Sequence, residues 1–243
     1  MSLCLSIPCK DEAAELRELV KSARPFVDEV VVLVDPSSED DSVKAAHEVA
    51  DRVYELLFPG SFGELCTLCV HLAFPHEWCI RLDCDERISG WGAVGDIFRR
   101  PHAPVVRDYA WAVRRRRWGD REQTKLVEPG PDWQVRLVPV KREARFVRRL
   151  HPDFAGLPVG SYNDAWIEHF HDLKSPALLA RRQLLYTELA AQERIAVEGG
   201  QSLAALCACG HNRLAHAGAL EYAKPPFKCY RDGCNCAGFQ EAP

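Results

Sequence analysis

The chain has 243 residues, 47% of them hydrophobic and 27% charged, with a net charge of −4. This is globular material with enough apolar residues for one core and a small appendage; it excludes a disordered chain, and the near-neutral balance creates no whole-molecule field that selects a polyanion. No apolar run approaches the roughly 18 residues of a membrane span, and the N-terminus lacks the basic-then-apolar layout of a signal peptide, so a cytoplasmic protein is expected. Of the 11 cysteines, Cys4, Cys9, Cys66, Cys69, Cys79 and Cys84 sit singly in apolar contexts, as small buried hydrophobes do in a reducing compartment. The other five crowd into residues 207 to 236.

In chain order, Leu3 to Pro8 reads as a strand stopped by proline. Residues 11 to 26 then carry Leu16, Leu19, Val20 and Ala23 at helical spacing behind an acidic first turn, Asp11 and Glu12. Glu29 to Val34 is a β-branched run of the kind buried on both faces of a parallel sheet, and it ends in Asp35. Turn chemistry from Pro36 to Ser42 leads to a helix over 41 to 52, a strand over Arg52 to Leu56, and a helix over 63 to 74. The next apolar strand, from Trp78, ends in Asp83-Cys84-Asp85-Glu86, three carboxylates within four residues. Like charges that close repel unless a cation sits among them, and hard oxygen ligands suit Mg²⁺ or Mn²⁺ with water and substrate phosphates in the remaining positions.

Strands alternating with helices predict a parallel α/β sheet with right-handed crossovers. That arrangement brings Lys10-Asp11-Glu12, Asp35 and Asp83-Cys84-Asp85 to one rim, at the carboxyl ends of the strands where ligands bind. There is no G-x-G-x-x-G after the first strand and no G-x-x-x-x-G-K-[ST], which argues against a dinucleotide oxidoreductase and a P-loop nucleotidase.

Residues 104 to 151 are strand-like and basic. From Arg114 to Arg149 there are twelve Lys or Arg against five acids, with Trp111, Trp118 and Trp133 interleaved. Such a run is a solvated face or a surface for a phosphate-bearing acceptor, nucleic acid above all. Arg115, Arg117, Trp118, Arg136 and His151 are the candidate acceptor-binding residues. An amphipathic helix over about 176 to 197 is ended by Gly199-Gly200. Beyond it, two Cys-x-Cys pairs, Cys207 with Cys209 and Cys234 with Cys236, are the first choice for a structural Zn²⁺ site, with Cys229, His211 and His216 in reserve. The expected organisation is a domain over 1–198 and a metal-folded, zinc-ribbon-like tail over 199–243.

The segments LSIPCKDEAAEL, DEVVVLVDPSSEDDS and WCIRLDCDERIS resemble, in order and spacing, the N-terminal half of family 2 glycosyltransferases of the GT-A fold. DWQVRL, RRLHPDF and WIEHFHD resemble the acceptor half of their small bacterial members, and the resemblance covers roughly residues 3 to 195. It implies a Rossmann-like mixed sheet with flanking helices, a nucleotide-sugar half over 1–100 and an acceptor half over 101–198. It further implies that Pro8, Lys10, Asp11, Glu12 and Asp35 border the nucleotide, and that Asp83 and Asp85 serve the ribose and an Mn²⁺ or Mg²⁺ ion. His169 would complete the metal shell, with His171 in reserve.

The chain departs from that pattern at Leu65-Cys66-Thr67, where such members often carry Arg-Asn, and at His151-Pro152-Asp153, where they carry His-Glu. The base that takes the acceptor's proton is accordingly Asp153 or Asp132. The implied activity is metal-dependent, inverting transfer of a sugar from a nucleotide-diphosphate donor, a UDP-sugar first, to a hydroxyl. A 5-hydroxymethyl base in DNA, as in phage DNA modification, is the leading acceptor, against protein, lipid-carrier and saccharide hydroxyls. The other class of function is a non-catalytic nucleic-acid or protein binding module with the zinc ribbon as its active part.

Overall fold

β2 (Glu29–Val34) shows why the chain folds as it does: Val30, Val32 and Val34 enter one core and Val31 and Leu33 the other, because successive strand side chains point to opposite faces. The structure is a computed structural model and describes residues 2–99, 108–170 and 176–198. β2 pairs in parallel with β1 (Leu3–Cys9) and β3 (Arg52–Glu55), and β1 pairs in parallel with β4 (Trp78–Arg81). Between them run α1 (Ala13–Ala23), α2 (Ser42–Val49) and α3 (Phe62–Leu72). Leu16, Leu19, Ala45 and Ala46 cover one face of this half, and Cys66, Leu68, Cys69 and Val70 of α3 cover the other.

The sheet is mixed rather than parallel throughout. β7 (Leu126–Pro139) joins β4 antiparallel and pairs with β6 (Ala110–Trp118), which runs parallel to β10 (Val159–His169). The far edge is β5 (Glu86–Ser89), antiparallel to β10, so the full order is β3-β2-β1-β4-β7-β6-β10-β5. The acidic segment is therefore the crossing by which the chain leaves the middle of the sheet for its edge. α4 (Trp91–Arg99) follows it, and a two-stranded sheet of β8 (Arg145–Val147) and β9 (Asp153–Ala155) packs by α3. The last described element is α5 (Pro176–Glu198); read as amphipathic, it buries only Leu189 among its described side chains.

The six early cysteines are free and buried as expected. Burial pushes the Cys4 thiol up to about 12. The tail residues Cys207, Cys209, Cys229, Cys234, Cys236, His211 and His216, and the reserve ligand His171, lie outside the described residues, as does the expected domain over 199–243. No helix among the described residues is long and apolar enough to cross a membrane.

Two local devices hold the site-bearing parts in place. At the start of α3, Ser61 Oγ accepts from the amide of Glu64 at 3.3 Å, while the amides of Phe62 and Gly63 donate to the carbonyls of Arg149 (2.9 Å) and Arg148 (3.1 Å). These are helix-terminal donors with no partner inside the helix. Thr67, fully buried, accepts from the amide of Phe146 at 2.8 Å and so ties β8 to α3. Leu65-Cys66-Thr67, the stretch that departs from the resemblance, thus serves packing. On the far side, Glu168 of β10 is 2% exposed. It accepts from Arg116 at 2.8 and 2.7 Å, from Ser89 Oγ at 2.6 Å and from Trp118 Nε1 at 2.6 Å. Trp118, expected to meet the acceptor, is instead a buried donor that joins β6 to β10.

A Cβ at Gly63 would lie 2.5 Å from the Arg148 carbonyl oxygen. Alanine in an ordinary helix stabilises by about 1 kcal/mol over glycine, so the sign decides: Gly63→Ala is expected to lower stability in urea by about 2 kcal/mol through overpacking. A gain would show that the loop after β8 does not press on α3 in solution.

Glu168 supplies a pH test. Burial works against its charge, but Arg116, Ser89 and Trp118 outweigh it and hold the carboxyl below its ordinary 4.5. A depressed folded value means stability that is complete above about pH 4.5 and lost as pH falls below it. Glu168→Gln is expected to cost about 2 kcal/mol at pH 7, less than a fully buried pair because the Arg116 side chain is 33% exposed. It should also flatten the acid limb of the Tm-against-pH curve; an unchanged acid limb would reject the role given to this carboxylate.

Candidate functional site

The carboxyl ends of β1, β2 and β4 gather the acidic residues singled out in the sequence. Near the end of β1, Pro8 lies beside Leu33 of β2, and its carbonyl accepts a weak bond from Cys84 Sγ at 3.5 Å. Asp11 has φ 54, a left-handed conformation uncommon for a residue with a side chain, and its Oδ1 accepts from the Glu39 amide at 2.6 Å. The bend turns the chain from β1 into α1. Glu12, 8% exposed in its side chain, donates its amide to Ser42 Oγ at 2.9 Å.

Asp35 is held from four directions. Its Oδ1 accepts from the Ser37 amide (2.9 Å) and hydroxyl (2.7 Å), and its Oδ2 from Lys10 Nζ (3.0 Å) and the Phe58 amide (3.2 Å). Burial opposes the charge, yet the Ser37 hydroxyl, then Lys10 and the Ser37 amide, hold the carboxyl below the usual range. All four acceptor positions of a carboxylate are thereby used. Asp35 and Lys10 frame the rim rather than offering an open acceptor and an open cation.

The Asp-x-Asp pair divides into two different groups. Asp83 accepts from Arg81 Nη1 at 2.7 Å and from Arg136 Nη2 at 3.1 Å. Burial works against its ionisation, but Arg81 and Arg136 hold its carboxyl well below the usual range despite the neighbouring Asp85. Asp85, 2% exposed, instead lies 3.3 Å from His169 Nε2 through its Oδ2. The backbone explains the meeting, since the Phe170 amide donates to the Asp85 carbonyl at 2.9 Å and β10 pairs His169 with Glu86. Cys84, between the two aspartates, stays a thiol because its bond with Cys9 and its burial push it well up.

Glu86, the last carboxylate of the cluster, is fully buried. It accepts from Arg136 Nε (2.9 Å) and Nη2 (2.8 Å) and from the Asp83 amide (3.1 Å), with Arg115 Nη1 3.5 Å away. Arg136 is itself 4% exposed. Expected on the acceptor side, it is a buried anchor for Glu86 and Asp83. Arg115, also expected there, bridges Glu86 to Asp132, whose Oδ2 accepts its Nε at 2.9 Å while Oδ1 accepts from Gln134 at 2.8 Å. Arg114 stacks over Trp166, 3.9 Å from the ring centre, and Arg116 serves Glu168. Four members of the basic run, Arg114, Arg115, Arg116 and Arg136, are thus engaged within the sheet. Arg117 sits beside His169 in the register of β6 and β10, and His151, exposed and at φ 53, lies in the turn before β9.

Of the two base candidates, Asp132 has both oxygens committed to β6 and β7. Asp153 has a 66% exposed side chain, whose Oδ2 accepts from Arg148 Nη1 at 3.3 Å. Sequence reasoning missed Arg81, which reads as one more residue of an apolar strand. It also missed Arg181 and Arg182 of α5, which meet the rim from above. Arg181 lies 2.8 Å from Glu39 and 3.9 Å from Asp11, and Arg182 lies 2.8 Å from Glu12. Burial opposes the Arg182 charge, and Glu12, then Asp85, outweigh it.

A divalent ion fits what is present. Among the described residues no three His, Cys, Asp or Glu are grouped to cage an ion by themselves. Asp85 and His169 nonetheless offer a hard oxygen and an imidazole nitrogen side by side. Mg²⁺ and Mn²⁺ sites typically rely on one or two protein groups and complete the shell with water and phosphate. Asp83, clamped by two arginines, is not a third ligand of this geometry.

No family model matches the chain. An uncharacterized glycosyltransferase of Rickettsia felis is 34% identical over 83 residues, a stretch that makes up 33% of this chain and 27% of that relative. The chain therefore matches about a quarter of that relative's length. Among solved structures it is similar to glucosyl-3-phosphoglycerate synthase of Mycobacterium tuberculosis in complex with Mn²⁺, UDP-glucose and phosphoglyceric acid, with 14% identity over 83% of this chain and 80% of that one and a TM-score of 0.49. It is also similar to S. aureus TarS 1–349 in complex with UDP, with 18% identity over 49% of this chain and 35% of that one and a TM-score of 0.34.

Proposed function

We propose that the protein is a metal-dependent glycosyltransferase of the GT-A type that moves a sugar, with inversion, from a nucleotide-diphosphate donor to a hydroxyl. The observation that carries this reading is the Asp85–His169 pair, 3.3 Å apart at the carboxyl end of β4, beside an Asp83 that two arginines keep ionised. The partial identity to a glycosyltransferase of Rickettsia felis supports it, and UDP-sugars are the donors to test first.

Asp85 and His169 would hold the ion, which supplies charge neutralisation on the departing diphosphate. The rim of Pro8, Asp11, Glu12 and Asp35 borders the nucleotide, with Asp35 and Lys10 fixing its shape. Asp83 faces the ribose from a fixed position. Asp153 acts as the base, because among the described residues only its Oδ2 accepts a hydrogen bond, whereas both oxygens of Asp132 do. In the transfer, the acceptor oxygen bonds to the anomeric carbon as the bond to the diphosphate oxygen breaks, and the hydroxyl proton passes to Asp153. With Arg115, Arg116 and Arg136 neutralised inside the sheet, the charge argument for DNA weakens. Hydroxymethylated DNA therefore stands in the acceptor panel beside saccharide, lipid-carrier and protein hydroxyls rather than ahead of them.

With Mn²⁺, the protein is expected to release nucleoside diphosphate from at least one UDP-sugar, and EDTA to abolish release. Asp85→Asn and His169→Ala should each lower kcat/KM about 100-fold or more while circular dichroism stays native. Wild-type turnover by Asp85→Asn would reject the metal site.

Once an acceptor is found, Asp153→Asn is expected to lower kcat by about 10²–10⁴-fold with donor KM unchanged, the range for loss of a general base. Asp132→Asn should keep more than about a tenth of kcat. The reverse pattern would move the base to Asp132.

A further inference from the structure

α5 presents four side chains to the protein at a spacing of four, three and four residues, one face of a helix. They are Arg182, Tyr186, Leu189 and Glu193. Arg182 Nη2 lies 2.8 Å from Glu12 Oε2. Tyr186 meets Phe62 of α3 edge-on, with ring centres 5.7 Å apart. Leu189 is 2% exposed, and Glu193 lies 3.3 Å from Arg148 Nε. Arg181, one residue from the stripe, reaches Glu39 and Asp11. Among the described residues the helix is thus fastened by ion pairs at Arg182 and Glu193, with the Tyr186 ring contact and the buried Leu189 between them. Partly exposed ion pairs contribute little and exchange readily.

The place of fastening is informative. Glu12 follows the end of β1, next to the strand end that carries Asp85, and the Asp85 charge reaches Arg182. We propose that Arg182, brought over the rim by α5, is the arginine that binds the diphosphate of the donor. This rests on the glycosyl-transfer reading. The diphosphate of a nucleotide sugar carries two negative charges and gains a third on transfer. The bond from the anomeric carbon to the phosphate oxygen breaks, its electron pair stays on that oxygen, and the acceptor's proton goes to the base carboxylate. A divalent ion offsets two of the three charges, and Arg182 meets the remaining one. A guanidinium suits this role, since its planar fork matches phosphate oxygens and it stays charged at any working pH. Glu12 holds the fork in place when no donor is bound.

The test is calorimetric titration of the full-length protein with UDP and with uridine, each with Mn²⁺ and with EDTA. Arg182→Ala is expected to weaken UDP about tenfold or more in both conditions and leave uridine unchanged, with Arg182→Lys restoring part of the loss. Glu193→Gln, which loosens the same helix at its other end, should change UDP affinity less than about threefold. Unchanged UDP affinity in Arg182→Ala overturns the proposal and leaves the glycosyl-transfer reading standing. An equal loss in Glu193→Gln, or a matching loss for uridine, also overturns it, because Arg182 would then act only by holding the helix. A wild-type protein that binds neither UDP nor uridine would take down the glycosyl-transfer reading together with this one.

Discussion

The buried pair of Glu86 and Arg136 is the contact on which the rest of the site depends. Both side chains are removed from water, 0% and 4% exposed, and neither charge could stay there alone, because an unpaired buried ion costs several kcal/mol. The pair is doubly bonded, and each member does something further. Arg136 also donates to Asp83, and Glu86 accepts the Asp83 amide. One ion pair therefore fixes both the side chain and the backbone of the first aspartate, and the turn that leads to Asp85 follows from it. Arg115 extends the series to Asp132. From Arg81 through Asp83, Arg136, Glu86 and Arg115 to Asp132 the charges alternate in sign, so each member of this series has an opposite charge beside it.

That alternation gives the basic run its meaning. Four consecutive arginines look, by charge alone, like a surface awaiting phosphates. Strand geometry sends alternate side chains to opposite faces, so Arg115 meets Glu86 and Asp132 on one side while Arg114 and Arg116 meet Trp166 and Glu168 on the other. Their stabilising effect lies in holding together a mixed sheet whose second half has few purely apolar strands.

How much of this was legible in the sequence follows from how local each signal is. The β-branched run of β2, the polar stop at Asp35 and the carboxylates after β4 are signals carried by adjacent residues, and the structure gathers them at one rim. The arginine partners were not legible, because they lie 17 residues away for Asp132 and 52 for Glu168, and charge pattern names a sign but not a partner. β5 was missed as four residues of mixed polarity. α5 has leucines at helical spacing, yet Leu184 is 73% exposed, and its inner face is ionic and aromatic. Nothing in apolar periodicity distinguishes a helix seated on a core from one laid across a rim of carboxylates.

The position of β5 at the far edge has a consequence for how the molecule is assembled. The acidic segment is made early in the chain, but Ser89 is joined to Glu168, 79 residues later, and His169 comes up to Asp85 through that same strand pairing. Contacts that close such long loops form against a large entropy loss and slow a folding reaction. β1, β2 and β3 pair among themselves from contacts much closer in sequence, whereas the Asp85–His169 pair exists only once the edge strand has been zipped onto β10. An emerging chain therefore holds its carboxylates without the imidazole, and under the proposed function the cation site would belong to the finished sheet rather than to the aspartate segment alone.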